Sequence, residues 1–210
     1  MVVEKFGKSQ SVNRVEDVRF LTGHGGYVDD IAPADALVAY VLRAPVAHAR
    51  IVGLDLDAAR MHDGVQLVIT AADLQAAGVA LDMTASTVTN LDGSQGAAPM
   101  RPLLAQDRVR FAGEAVAVVI ADSLELARDD AEQVVVDYEE LPVHLSLQAG
   151  GEPLHSEAPE NRAFDWGFGT KDATEAAFDK AAHRVCLRID DNRVIVNSLE
   201  PRGCFAEWGD

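Results

Sequence analysis

AVAVVIADSLELARDDAEQVVVDY, residues Ala115 to Tyr138, decides the fold. Ala115 to Ala121 is a short apolar run rich in β-branched residues, which favours a strand. Leu124, Ala127, Ala131 and Val134 then recur at helical spacing, and VVVDY (134 to 138) returns to strand composition. Asp122 with Glu125 three residues on has the form of a capping box, so a helix is expected over Ser123 to Gln133. The three pieces predict a compact strand, helix and strand.

Working outward, LVAYVL (37 to 42) and VQLVIT (65 to 70) have the same strand composition. All four strands are expected to share a core with the helix, because the helix has one apolar face to bury. Thr70 predicts the cap of a short helix, ADLQAA, that stops at Gly78. A third helix is expected from Asp172, with Glu175 as reciprocal partner, through ATEAAFDKAA, after which HRVCLRID (183 to 190) resumes a strand pattern. Between these lie LDMTASTVTNLDGSQGAAPM (81 to 100), read as a long surface loop, and QAGGEPLHSEAPENRAFDWGFG (148 to 169), where Gly and Pro erase any period. A domain boundary is expected just before the second. No internal repeat is visible.

At 210 residues, 48% hydrophobic and 25% charged, the chain has the composition of a globular protein with one sizeable core or two small ones. A formal charge of -16 repels phosphate backbones and anionic lipid, which argues against nucleic acid or membrane as the main partner. No window approaches the roughly 20 apolar residues of a membrane span, and MVVEKFGKSQ lacks the order of a secretion signal, so the chain is read as cytoplasmic. Cys186 and Cys204 form no C-x-x-C pair and are expected to be half-buried thiols rather than metal ligands.

Motifs for self-contained chemistry are missing from the sequence. GHGG (23 to 26) lacks both the Lys-Ser/Thr of a P-loop and a strand-turn-helix context, so it reads as a turn leading into Tyr27 and a strand; GFGT (167 to 170) fails likewise. There is no G-x-S-x-G elbow, which counts against a small hydrolase. His24 and His62 read as loop residues, His144 and His155 as linker residues beside prolines, and His183 as preceding a strand. The carboxylate pairs Asp29-Asp30, Asp129-Asp130, Glu139-Glu140 and Asp190-Asp191 are expected to be mostly solvated, Asp30 alone having a motif context. LRAPVAHARI (42 to 51) sets His48, Arg43 and Arg50 in an apolar run; imidazole suits a metal ligand or a base, but no second histidine lies at ligand spacing. No catalytic, cofactor-binding or metal residue is therefore assigned.

Four stretches in colinear order carry a resemblance: VNRVEDVRFLTGHGGYVDDI (12 to 31), LRAPVAHARI, VRFAGEAVAVVIADSLELARDDAEQVVVDYEELPV (109 to 143) and NSLEPRGCFAEW (197 to 208). Together they resemble the N-terminal part of the large molybdopterin-binding subunit of the xanthine dehydrogenase and aldehyde oxidase family, nearest the aerobic carbon monoxide dehydrogenase type. Departures from the family pattern are Ala44, where serine is usual, Val46, where histidine is usual, and Leu199, where methionine is common.

The resemblance implies an α/β (α+β) architecture: an N-terminal arm over 1–22, an α/β hammerhead domain over 23–145, and a linker with the start of a molybdopterin-binding domain over 146–210. It makes LRAPVAHARI a strand, turn and strand, with His48 structural; Pro45 fixes φ at the turn, and imidazole and guanidinium groups can satisfy carbonyls around it. It implies a molybdenum hydroxylase acting on an aldehyde, an N-heterocycle or carbon monoxide, with water as the oxygen source. The complete subunit would carry molybdopterin, and the complex 2Fe-2S clusters and FAD on a small and a medium subunit. The family's cofactor segments fall beyond Asp210, so this piece is expected to be structural, inactive by itself and without a bound cofactor. The alternative is a free-standing binding or assembly module of the same fold with no oxidoreductase role.

Overall fold

The computed structural model describes residues 13–83, 87–192, 194–198 and 200–209. The chain divides into two compact units, one spanning Leu37–Cys186 and the other made from the residues up to Ala36 with those from Leu187 onward.

The larger unit holds two antiparallel three-stranded sheets. The first has the order β1 (Val38–Arg43), β5 (Ala115–Ala121), β3 (Val65–Thr70); the second has the order β4 (Arg108–Val109), β2 (Ala49–Asp55), β6 (Val135–Glu140). AVAVVIA is central because both its faces are apolar, and Val116, Ala117, Val119 and Ala121 are all fully buried. The expected strand-helix-strand unit forms, and its two strands lie in different sheets. After β5 and α5 (Leu124–Ala131) the chain enters the second sheet, where Tyr138 faces Ile51 on β2. The expected common core is present: Val68, Val119, Ala131 and Val134 cluster with Leu56 and Ala59, and Tyr40, Leu42, Val65 and Val136 pack against them. A second cluster of Ala44, Ala49, Ala105, Val109 and Val116 lies beneath the second sheet.

Two details of α5 differ from expectation. Its cap is Ser123, whose Oγ accepts the Leu126 N–H at 3.3 Å, while the Asp122 carboxylate takes the Gln66 side-chain amide at 2.9 Å. The buried arc runs through Ala127, Asp130, Ala131 and Val134, leaving Leu124 at its edge and exposed. Asp130 is thus an acid on the apolar face, whereas Asp29, Asp30, Asp129, Glu139, Glu140, Asp190 and Asp191 are solvated as anticipated.

α3 (Asp57–Arg60) buries Ala59, and α4 (Ala71–Ala76) follows β3 with the expected cap. The Thr70 hydroxyl accepts the Asp73 N–H at 3.4 Å and donates to Asp73 Oδ2 at 2.6 Å, and Asp73 Oδ2 also accepts the Thr70 N–H at 2.8 Å. Gly78, with φ of 74°, lies just past the helix end. The Thr70 hydrogen bonds, more than the Arg60 guanidinium, hold the Asp73 carboxyl below its ordinary 3.8. A depressed carboxyl stabilises the fold above its unfolded pKa and loses that contribution as pH falls through the lower, folded value. Thr70→Ala is therefore expected to cost about 1 kcal/mol at neutral pH, with the penalty shrinking in acid below 3.8. Urea titrations of both proteins at several pH values check this; a penalty that grows on acidification would show that the cap acts by another route.

The 81–100 region is irregular, with isolated bridges Asp82–Pro102 and Thr89–Gln95. The 148–169 stretch lies along it: Leu91 N–H donates to Asp165 O at 2.9 Å and Ala97 N–H to Ala163 O at 2.7 Å. Gly96 permits this approach, since a Cβ there would sit 2.9 Å from the Ala163 carbonyl oxygen. α6 (Lys171–Lys180) forms without the Asp172–Glu175 box; Thr170 O accepts the Thr174 hydroxyl at 3.0 Å and Lys171 reaches Glu175 at 3.8 Å.

In the smaller unit, α1 (Asp17–Leu21) precedes the GHGG turn, and Tyr27 leads into a short helix, α2 (Val28–Ile31), rather than the expected strand. Asp30 enforces the difference: its carboxylate accepts the Tyr27 N–H at 2.8 Å, which closes a helical turn. The strand expected over 183–190 is absent, and the described residues that follow it form none either. Strand composition there meets no ladder partner, and Val185, Leu187, Ile189, Ile195 and Trp208 stand exposed. Cys186 and Cys204 are exposed free thiols, not half-buried ones, for the same reason.

Candidate functional site

Two of the four sequence stretches, LRAPVAHARI and 109–143, converge on one structural junction. Pro45 follows β1, and the 44–48 turn carries the chain from the first sheet to β2 in the second. Ala44 N–H donates to Glu114 O at 2.9 Å, Gly113 N–H to Ala44 O at 2.8 Å, and Arg43 Nη1 to Gly113 O at 2.9 Å. Gly113 has φ of 93°, a conformation that a side chain would strain. RAP and FAGE thereby lock each other. The third motif joins through Leu141 N–H, which donates to His48 O at 2.9 Å, and through His48 Nδ1, 2.7 Å from Pro142 O. Arg50 forms an ion pair with Glu139 at 3.0 Å across β2 and β6.

His48 is buried, and its Nε2 has no partner among the described residues. Glu114, also buried, accepts the Arg110 N–H at 2.5 Å. Neither approaches a second group in a nucleophile–base arrangement, so the junction acts as a brace. Arg43 serves a carbonyl as anticipated, whereas Arg50 serves a carboxylate instead.

Sequence reasoning missed two polar positions. Asp130, on the buried face of α5, has Oδ1 3.2 Å from His62 Nδ1, and its Oδ2 has no partner among the described residues. The available signal was its spacing: three residues after Ala127 and four before Val134 puts it in the apolar arc. His155, read as a linker residue, lines a small cavity with Arg108 and Arg110. Burial, and next the Arg110 charge, hold its imidazole below 6.5. Burial also raises the Tyr138 phenol above 10.0.

A second pair of motifs meets in the smaller unit, where the Glu200 carboxylate accepts the Val28 N–H at 2.8 Å, tying EPR to GGYVDD. Among the described residues no group of three or more His, Cys, Asp or Glu side chains is placed to hold a metal ion. No helix among them is long and apolar enough to cross a membrane.

Comparison with known proteins agrees with this arrangement. The sequence model of the aldehyde oxidase and xanthine dehydrogenase a/b hammerhead domain matches residues 22–142. The nicotine 6-hydroxylase large subunit of Paenarthrobacter nicotinovorans is 38% identical over 203 residues, covering 94% of this chain and 24% of that protein. The carbon monoxide dehydrogenase large chain of Hydrogenophaga pseudoflava is 35% identical over 209 residues, covering 92% and 25%. Among solved structures, a Cu,Mo-CO dehydrogenase superposes with a TM-score of 0.63 at 32% identity, covering 82% of this chain and 22% of that one. Quinoline 2-oxidoreductase from Pseudomonas putida 86 gives 0.56 at 42% identity over 63% of this chain and 16% of that one. This chain spans about a quarter of the length of the curated relatives it matches. With the hammerhead match covering more than half its residues, the chain belongs to the aldehyde oxidase and xanthine dehydrogenase family of molybdenum hydroxylase large subunits.

Proposed function

We propose that the chain is the hammerhead-bearing part of the molybdopterin-binding large subunit of a molybdenum hydroxylase, and that it shapes and docks this subunit rather than carrying out the chemistry. The observation that carries this reading is the match of more than nine-tenths of the chain to large subunits of which it spans a quarter. In this reading 1–22 is an arm, 23–145 the hammerhead domain, and 146–210 the linker and opening of the cofactor domain. The complete enzyme would hydroxylate an aldehyde or an N-heterocycle, or oxidise carbon monoxide, taking oxygen from water. When bound, pterin-held molybdenum supplies that oxidation.

The described residues do not themselves fit such a group. Both thiols are exposed on unpaired chain, and the buried acids Glu114 and Asp130 are taken up by a backbone N–H and by His62. Iron–sulfur and flavin subunits are the proposed partners, and the cytoplasm the proposed compartment. The exposed apolar side chains over 185–208 support a docking role, because such surface is covered by other protein in a finished assembly.

The test is metal and flavin analysis of the complex recovered with this chain from its native cells, beside the purified 210-residue chain. Molybdenum, iron and flavin in the complex, with none in the chain alone, is the expected result. Stoichiometric molybdenum or hydroxylase turnover in the isolated chain would overturn the division of labour. A monomer in cells without any of the three would favour the free-standing module.

A further inference from the structure

In a chain with 34 acidic and 18 basic residues, a cation has no shortage of carboxylates. Arg14, Arg50, Arg60, Arg162, Arg184 and Arg188 each lie within 4.0 Å of one. Arg19, Arg43, Arg101, Arg108, Arg110, Arg128 and Arg202 do not, among the described residues, and of these Arg108 and Arg110 alone are half-buried. Val109 between them is fully buried in the core, while Arg108 on β4 and Arg110 just past its end both line one cavity on the other side of the chain. The 154–157 turn lies over that side. Arg110 Nε donates to Leu154 O at 3.0 Å, which fixes the guanidinium plane and leaves its two terminal nitrogens without a partner among the described residues. Arg108 makes no side-chain hydrogen bond there at all.

These two guanidiniums and His155 line one cavity of about 140 Å³. Its acids are exposed: Asp107 at the strand end and Glu157, whose carboxylate accepts the Ser156 hydroxyl at 2.9 Å. Half-buried fork donors with unmet N–H groups call for an acceptor rich in oxygen. We propose that this cavity binds a tetrahedral oxyanion, either a free phosphate or sulfate ion or the phosphate monoester of a larger ligand, with Arg108 and Arg110 as its donors and His155 as a third. The site is independent of the hydroxylase reading.

His155 gives binding a pH dependence. Arg110, Arg108 and His48 press its imidazole toward the neutral form beyond the effect of burial, and Glu157 acts the other way. A seated dianion favours the protonated ring, so affinity rises as pH falls through the His155 titration.

Sulfate is the probe, since it stays doubly charged throughout that range. Titrated into the full chain by calorimetry, with arginine and histidine side-chain NMR shifts as a second readout, it is expected to saturate one site and move the Arg108, Arg110 and His155 resonances. Arg108→Gln, at a side chain that makes no hydrogen bond, should weaken it by about tenfold or more; Arg50→Gln, already paired with Glu139, should leave it unchanged. His155→Gln should flatten the pH dependence. Glycerol 3-phosphate binding more tightly than inorganic phosphate identifies a monoester, and equal binding a free ion. No saturable binding, binding insensitive to Arg108→Gln in a protein whose circular dichroism is intact, or acetate binding as tightly as sulfate would each overturn the proposal.

Discussion

In hydrogen exchange on a dilute solution of the chain, amides over 115–121 should exchange more slowly than those over 183–192 by a factor on the order of 10³ or more. The first group lies in a strand paired on both sides, with Val116, Ala117, Val119 and Ala121 fully buried. The second carries strand-forming side chains without a strand: Val185, Leu187 and Ile189 alternate along extended chain and stand 91%, 76% and 77% exposed. Amides with no ladder exchange nearly as they would in an unfolded chain, whatever the stability of the core. If the proposed docking role holds, adding iron–sulfur and flavin subunits should slow 183–192 and leave 115–121 as it was. Equal protection in the two segments of the isolated chain would mean that the C-terminal stretch completes a sheet of its own, and the docking role would lose its support.

Val119→Asp is expected to abolish the cooperative unfolding transition of the Leu37–Cys186 unit. Val119 sits in the middle strand, fully buried against Val68, Leu56 and Ala131, where an introduced carboxylate finds neither water nor a cation. Burying an unpaired charge belongs to the small class of substitutions that cost more than roughly 4 kcal/mol, a large part of a domain's stability. Val119→Ala, which leaves only a cavity, should cost about 2 kcal/mol and keep the transition. Val135→Asp, at a position 55% exposed on β6, should change stability by no more than about 0.5 kcal/mol. Thermal melts of the three variants decide the matter. If Val119→Asp melts with Val135→Asp, β5 is not the centre of the core.

Periodicity revealed β1, β3, β5, β6, α4 and α5, because each is locally marked: β-branched runs at 65–70 and 115–121, a cap at Thr70, a glycine at 78; the short α3 and β4 escaped it, and β2 was expected only from the resemblance. It did not reveal that β6 pairs with β2 rather than lying beside β5, since partner choice depends on residues nearly a hundred positions apart. Strand composition misled at 183–190, where side chains suited to a sheet find no neighbouring strand among the described residues. At Asp130 the charge concealed what the spacing disclosed. His155 had no local signal at all: its surroundings come from Arg108 and Arg110, brought to it by the fold from more than forty residues away.

The smaller unit is built from both ends of the described chain, with the Glu200 carboxylate receiving the Val28 amide. Order of synthesis then matters. α1 and α2 leave the ribosome first, but the segment that answers them follows about 150 residues later, roughly 10 to 30 s at ordinary elongation rates. For that interval Val18, Leu21 and Ile31 have no companion, and they remain exposed even in the finished unit. A nascent chain in this state offers apolar surface to a chaperone before the segment that answers α1 and α2 has been made. The folding of Leu37–Cys186 in the meantime makes one compact body of most of the chain that separates the two segments.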